Sequence, residues 1–299
     1  MTMARPVYRE QVVMVSRRTV QRQLLFVPDD VINGIFLYCL GYAAKKYKIK
    51  VISVTVMSNH WHVVIFDEKG TYPAFTSWMH EFTAKCVNVY RKRYENVWSS
   101  EKGSVVRAED DEDVLGQVVY CECNPVEAGL VADRKDWPGI RLGPAQWGKT
   151  IEVKRPSVYF SKTGRMPKKV KLTLHRPPIK TDLSDAVLAQ QFMNATDAKQ
   201  KELVECHKQA GKVFMGANAV KRQSPFSQPR TEAPRRNLNP QVAAKNKGRR
   251  IAALKRLKQF WSDYKKAYAR WRTGTRDVVF PHGTYAVCVF GGAISASTS

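Results

Sequence analysis

The sequence predicts an α+β fold, an antiparallel sheet of ferredoxin-like, split βαβ order with helices on one face, followed by a basic, mainly helical C-terminal extension. Three observations carry this. Period-2 and period-3.6 apolar patterns follow one another over the first 125 residues in the order β-α-β-β-α-β-α. Capping and turn residues stand at the joints between them. Charge then divides the chain: residues 1–140 hold 18 basic and 17 acidic side chains, net +1, whereas 141–299 hold 32 and 9, net +23.

Residues 11–16 form the first strand. Pro28-Asp29-Asp30 supplies an N-cap, Val31, Ile35, Cys39 and Tyr42 recur at helical spacing, and Lys45-Lys46-Tyr47-Lys48 gives that first helix the basic end its dipole favours. Residues 50–56 are rich in β-branched side chains, Met57-Ser58-Asn59 reads as a turn, and 60–66 runs on as a second apolar strand, together a hairpin. Phe75, Trp78, Phe82, Cys86 and Val89 mark an amphipathic helix over 73–94. Residues 104–107 form a short strand. The acids from Glu109 to Asp113 open a third helix, expected to run to about Cys123 and to stop at Asn124-Pro125.

Beyond 140 the patterning weakens. Residues 170–174 alternate as a strand, 224–250 read as a linker or arm rich in Pro, Arg, Asn and Gln, and about 250–273 as a basic amphipathic helix ended by Gly274. Its stripe is Leu254, Leu257, Trp261, Tyr264, Tyr268 and Trp271, for which packing is the more common role than base stacking. Residues 285–290 suggest one more strand. There is no internal repeat. The domains expected are therefore 1–140 and 141–299.

With 43% hydrophobic residues the 299-residue chain can build a core, and its net charge of +24 points to a polyanion, nucleic acid before an anionic membrane surface. No apolar run approaches the roughly 20 residues of a membrane span, and the N-terminus lacks a signal-peptide core, so a cytoplasmic, nucleoid-associated protein with no membrane partner is expected. The six cysteines read as reduced thiols, because Cys121-Glu122-Cys123 has no second pair to complete a zinc knuckle.

Two constellations bear chemistry. In Asn59-His60-Trp61-His62 the two imidazoles project from one face of a strand and Trp61 from the other, an arrangement that suits a metal ion and equally suits two exposed or core-satisfied histidines. Tyr120 and Asn124, four apart, share a helix face with Gly116 and Gln117, while Leu115, Val118 and Val119 make the apolar face.

The segment from Val56 to Ile65, Val-Met-Ser-Asn-His-Trp-His-Val-Val-Ile, is similar to the Met-Pro-Asn-His-hydrophobic-His strand of the REP-associated tyrosine transposases and their insertion-sequence relatives, the HUH nucleases. The segment from Tyr120 to Val131, Tyr-Cys-Glu-Cys-Asn-Pro-Val-Glu-Ala-Gly-Leu-Val, resembles that family's Tyr-x-x-x-Asn-Pro-Val-x-Ala-Gly-Leu signature. The resemblance covers roughly residues 7–140. It implies the HUH nuclease fold, with His60 and His62 as ligands of one divalent metal, Mg²⁺ or Mn²⁺, Asn124 completing or supporting the metal shell, and Tyr120 as the nucleophile. Zinc is not excluded by ligand type. The implied reaction is cleavage and strand transfer of single-stranded DNA bearing hairpin or palindromic repeats, through a 5′-phosphotyrosine, by a monomer or a homodimer. The chain departs from the family at 97–103, which lacks an Arg-Tyr pair, and at Trp137-Pro138-Gly139, which replaces Trp-Ser-Ser.

In the extension, Arg249, Arg250, Lys255, Arg256, Lys258, Lys265 and Lys266 are the candidate phosphate contacts. Two other readings stay open: a non-catalytic nucleic-acid-binding regulator derived from such an enzyme, and an HUH-like nuclease that uses metal-bound water.

Overall fold

A computed structural model describes residues 4–230 and 240–296. Its elements in chain order are β1 (Gln11–Arg18), α1 (Asp30–Tyr47), β2 (Ile49–Val56), β3 (His60–Asp67), α2 (Tyr72–Arg91), β4 (Ser104–Ala108) and α3 (Asp111–Glu127). There follow β5 (Arg141–Leu142), β6 (Thr150–Lys154), β7 (Lys169–Thr173), α4 (Asp185–Gln209), α5 (Ala217–Lys221), β8 (Val242–Ala243), α6 (Lys247–Arg272), β9 (Val279–Phe280), α7 (Ala286–Gly291) and β10 (Ile294–Ser295).

Local chemistry sets the helix ends. The Asp29 carboxylate accepts from the Ile32 amide at 2.7 Å and that of Asp110 from the Asp113 amide at 2.8 Å, each satisfying an orphan donor of the first turn. Lys48 and Lys92 close α1 and α2 in the left-handed conformation. Buried Asp67, at the end of β3, accepts from the amides of Thr71 and Tyr72 at 2.9 and 2.8 Å and so ties the hairpin to the start of α2.

The four central strands lie in the order β2-β3-β1-β4, each neighbouring pair antiparallel, with Ser16 opposite His62 and Arg18 opposite His60. β5 extends this sheet beside β2 and β8 beside β4. Because β8 joins β4 in parallel, the six-stranded sheet is mixed rather than purely antiparallel.

Strand alternation gives the sheet two apolar faces. Val13, Val15, Trp61, Val63 and Ile65 pack against Ile35 and Phe36 of α1 and Phe75 and Cys86 of α2. Val12, Ile52 and Val64 point the other way and are covered by Val114, Val118 and Cys121 of α3 and by Leu188 and Phe192 of α4. The expectation of helices on one face is thus corrected: α1 and α2 share a face, and α3 with α4 occupies the other. Leaving residues such as Ile52 bare would forfeit about 1.5–3 kcal/mol each, so the second face requires a cover.

Three further expectations change. Pro125 does not stop α3, which runs to Glu127; Val126 packs with Met57, Val131 and Trp137, and that burial offsets the missing proline donor until Gly129 ends the turn at φ 69°. Residues 286–291 are helix where a strand was expected, since a short apolar run has no decisive period. Gln117 is buried, its Nε2 donating to the Val106 carbonyl at 3.0 Å, rather than sharing an open face with Tyr120.

Past residue 140 the chain is built into the same cores. Val153, Val170 and Leu172 of the β6–β7 hairpin join the α1 side and Leu188 and Phe192 of α4 the α3 side. The basic helix starts at Lys247, where the Asn246 side chain caps the Arg249 amide at 3.0 Å. Within the expected arm, residues 231–239 lie outside the described residues, while 242–243 pair with β4. On α6, Tyr264, Tyr268 and Trp271 pack around buried Ala267, Val278 and Phe280, so these rings serve a small local core. Among the described residues no helix is long and apolar enough to cross a membrane.

Candidate active site

β3 opens on His60, so period 2 puts His60 and His62 on the α3 face while Trp61 sinks into the opposite core, edge-on to Phe36 at 5.7 Å. The two imidazole centroids lie 5.0 Å apart, nearly perpendicular. α3 crosses this face and presents Tyr120 and Asn124 one turn apart. The Asn124 Oδ1 is 3.1 Å from His60 Nε2, and the Tyr120 ring stands edge-on to His62 at 5.2 Å. All four predicted residues are therefore brought together.

A residue that sequence reasoning left without a role, Asn59, orients the first histidine. Its Nδ2 donates to the Arg22 carbonyl at 3.3 Å, and its Oδ1 lies 2.7 Å from His60 Nδ1. The other ring nitrogen, Nε2, is 3.1 Å from Asn124 Oδ1. A neutral imidazole has one ring proton, so one of its two nitrogens keeps a lone pair. Both nitrogens of His62 are buried, and neither finds a hydrogen-bond partner among the described residues.

Burial pulls His60 down to about 4, with Asn124 opposing and Arg18 and Arg22 adding to the shift. Burial, then the neighbouring His60 and Arg18, hold His62 well below the usual imidazole range. Both rings are thus neutral near pH 7, the state in which imidazole ligates a metal. Burial and the charge of Glu127 raise the Tyr120 phenol, with Asn124 and Arg18 opposing, although the side chain stays 40% exposed and reachable.

Among the described residues no group of three His, Cys, Asp or Glu side chains is placed to hold a metal. The donor set present is two imidazoles and one amide oxygen. Unpartnered nitrogens on buried His62, beside the His60 imidazole and the Asn124 oxygen, fit a divalent cation that takes its remaining ligands from water or phosphate. Cys121 and Cys123 are spent elsewhere, on the carbonyls of His62 and Thr196.

Behind α3, buried Glu122 meets Arg141 of β5 at 2.5 Å and lies 3.5 Å from Ser53 Oγ. Burial raises this carboxyl against the pull of Arg141. The contact ties α3 to β2 and β5 within the turn that carries Tyr120 and Asn124. Its only sequence signal was an acid on an otherwise apolar helix face.

The predicted basic residues lie apart from this centre. Arg249 pairs with Asp110 and Arg256 with Glu109, at the acidic start of α3, ten residues or about 15 Å of helix from Tyr120. Lys245 joins Glu112 at 2.5 Å. Arg250, Lys255, Lys258, Lys265 and Lys266 are exposed and form no ion pair among the described residues.

Fold and site together define a mixed α+β protein whose sheet carries a two-histidine, one-tyrosine polar centre under a crossing helix. No family model matches the sequence, and no curated protein matches it. Among solved structures it is similar to a REP-associated tyrosine transposase bound to a REP hairpin, at 13% identity and a TM-score of 0.40, over 46% of this chain and 81% of that one. It is also similar to a Deinococcus radiodurans protein provisionally assigned as a transposase, at 16% identity and a TM-score of 0.30, over 40% of this chain and 92% of that one.

Proposed function

We propose that the chain is a divalent-metal-dependent, single-tyrosine nuclease and strand transferase of the HUH, transposase-like kind, acting on single-stranded DNA with hairpin or palindromic repeats. The observation that carries this reading is the convergence of Tyr120 and Asn124 on His60 and on His62, whose buried ring nitrogens have no hydrogen-bond partner among the described residues. The strand order β2-β3-β1-β4, that of a split βαβ sheet, and the two sequence motifs support it.

His60, His62 and Asn124 would hold one Mg²⁺ or Mn²⁺. When bound, the ion offsets charge on the non-bridging oxygens of the scissile phosphate. Asn59 would orient the His60 ring, and Asn124, one helical turn from Tyr120, faces the same point. The Tyr120 oxygen forms a bond to phosphorus as the bond to the 3′-oxygen breaks; the phenol proton ends, through solvent, on the released 3′-hydroxyl. The resulting 5′-phosphotyrosine conserves the ester for rejoining to another 3′-hydroxyl. Residues 1–140 carry this chemistry. The extension 141–299 completes the cores around it and contributes the cationic surface of α6 for phosphate affinity.

The test is incubation with Mn²⁺ and labelled single-stranded hairpins from the DNA flanking the gene. A denaturation-resistant protein–DNA adduct, lost in Tyr120→Phe and with chelator, is expected. An adduct formed by Tyr120→Phe sinks the reading. The raised phenol favours one alternative, attack by water, which would cut DNA without an adduct and tolerate Tyr120→Phe. Binding with no cleavage of any strand would instead identify a regulator.

A further inference from the structure

Beside the His60 end of the sheet, β1 leaves the core at Arg18 and turns through 20–22 before meeting 99–101. These segments enclose a cavity of about 580 Å³, within the ~300–1,000 Å³ usual for small-ligand sites. Arg18, Gln21, Arg22, Ser99, Ser100 and Gln228 line it, with Glu101 as the one acid. Resting on the nuclease reading above, we propose that this trough is a phosphodiester-binding subsite that holds the single strand next to the scissile phosphate.

Four observations converge on it. Arg18 is the register partner of His60, so the trough opens directly from the metal-ligand strand. Its guanidinium is exposed and makes no hydrogen bond or ion pair among the described residues, in contrast to Arg17, which binds the carbonyls of Ser99 and Glu101. Its charge reaches His60, His62 and Tyr120, and that of Arg22 reaches His60, so an anion in the trough lies within the field of the same centre. Finally, Gln21 and Arg22 are consecutive non-glycine residues in the left-handed region, at φ 48° and 59°. Such residues are strained and persist where the surroundings enforce them, commonly at ligand sites. Here the Arg22 carbonyl is held by Asn59, the residue that orients His60, so the strained turn and the metal-ligand histidine share one hydrogen-bonded link.

The ligand chemistry follows from the lining. The Arg18 guanidinium, the hydroxyls of Ser99 and Ser100 and the side-chain amides of Gln21 and Gln228 recognise phosphate oxygens, and no aromatic ring lines the trough to stack a base. The subsite therefore serves strands of any sequence.

The experiment uses the full chain and fluorescein-labelled oligothymidylate and oligoadenylate, with affinity read by anisotropy over a salt series. Arg18→Gln and Arg22→Gln are each expected to bind about tenfold more weakly, equally on both oligomers, and to lower the slope of log K against log salt by about 0.7. Thermal unfolding of each variant checks its fold; Arg18→Gln alone decides the matter if Arg22→Gln is destabilised. Wild-type affinity and slope in a folded Arg18→Gln overturn the proposal, as does a loss confined to one oligomer or a wild-type chain that binds neither. The adduct assay on the same preparations separates the two readings. A wild-type chain that binds with the expected slopes but forms no adduct defeats the nuclease, whereas one that forms the adduct while Arg18→Gln binds normally defeats the trough.

Discussion

His60 is held between two side-chain oxygens, Asn59 Oδ1 at 2.7 Å from its Nδ1 and Asn124 Oδ1 at 3.1 Å from its Nε2. A neutral imidazole carries one ring proton and can donate to only one of these oxygens, so one of its nitrogens keeps a lone pair.

Asn59 is accordingly predicted to control metal affinity without touching the metal. Asn59→Ala should weaken Mn²⁺ binding, measured by calorimetry, about 10–100-fold, the usual effect of removing a group that orients a ligating histidine. Asn59→Asp keeps an oxygen beside Nδ1 and should retain most of the affinity. Equal loss in both variants would refute the orienting role.

Tyr120→Phe should abolish the covalent adduct while leaving Mn²⁺ affinity within about twofold, since the hydroxyl is not among the proposed ligands. His62→Ala should instead remove both, metal binding directly and the adduct through it.

Glu122→Ala should destabilise the protein by about 2–3 kcal/mol, less than a fully buried pair because Arg141 keeps some contact with water. Urea denaturation measures this. Glu122→Gln keeps the shape and removes the charge whose burial is costly, so it should lie closer to wild type.

Acid should unfold the chain through its buried histidines. Burial lowers His80 to about 3, below its ordinary 6.5, so between those values the unfolded chain binds the proton and the folded one does not. Stability is therefore fully present above pH 6.5 and falls as pH drops toward 3. The urea midpoint should decline over that window, and His80→Gln should flatten the decline.

Replacing Arg250, Lys255, Lys258, Lys265 and Lys266 by Gln should weaken single-strand binding and reduce its salt slope with little change in thermal stability, as these cations are exposed and hold no partner among the described residues. Deleting 141–299 is a poorer test, because it also removes Leu172, Leu188 and Phe192 from the two cores.

The sequence by itself determined the order of the first seven elements and the faces of their own strand or helix on which the chemical residues lie. His60 and His62 share a strand face by period 2, and Tyr120 and Asn124 share a helix face by the four-residue repeat. Tertiary structure alone decided that α3 crosses the sheet on the histidine side, away from α1 and α2. Periodicity specifies which side of an element is apolar, but Val13 and Val63 on one sheet face and Val12 and Val64 on the other are equally apolar, so nothing local chooses between the faces. The same limit hid α4, whose buried stripe is only Leu188, Phe192 and Thr196, and the Asn59 link, which depends on the carbonyl of Arg22, 37 positions away in the chain. It also hid the pairing of Arg249 and Arg256 with Asp110 and Glu109, since charge composition counts cations without saying which ones the fold has already neutralised.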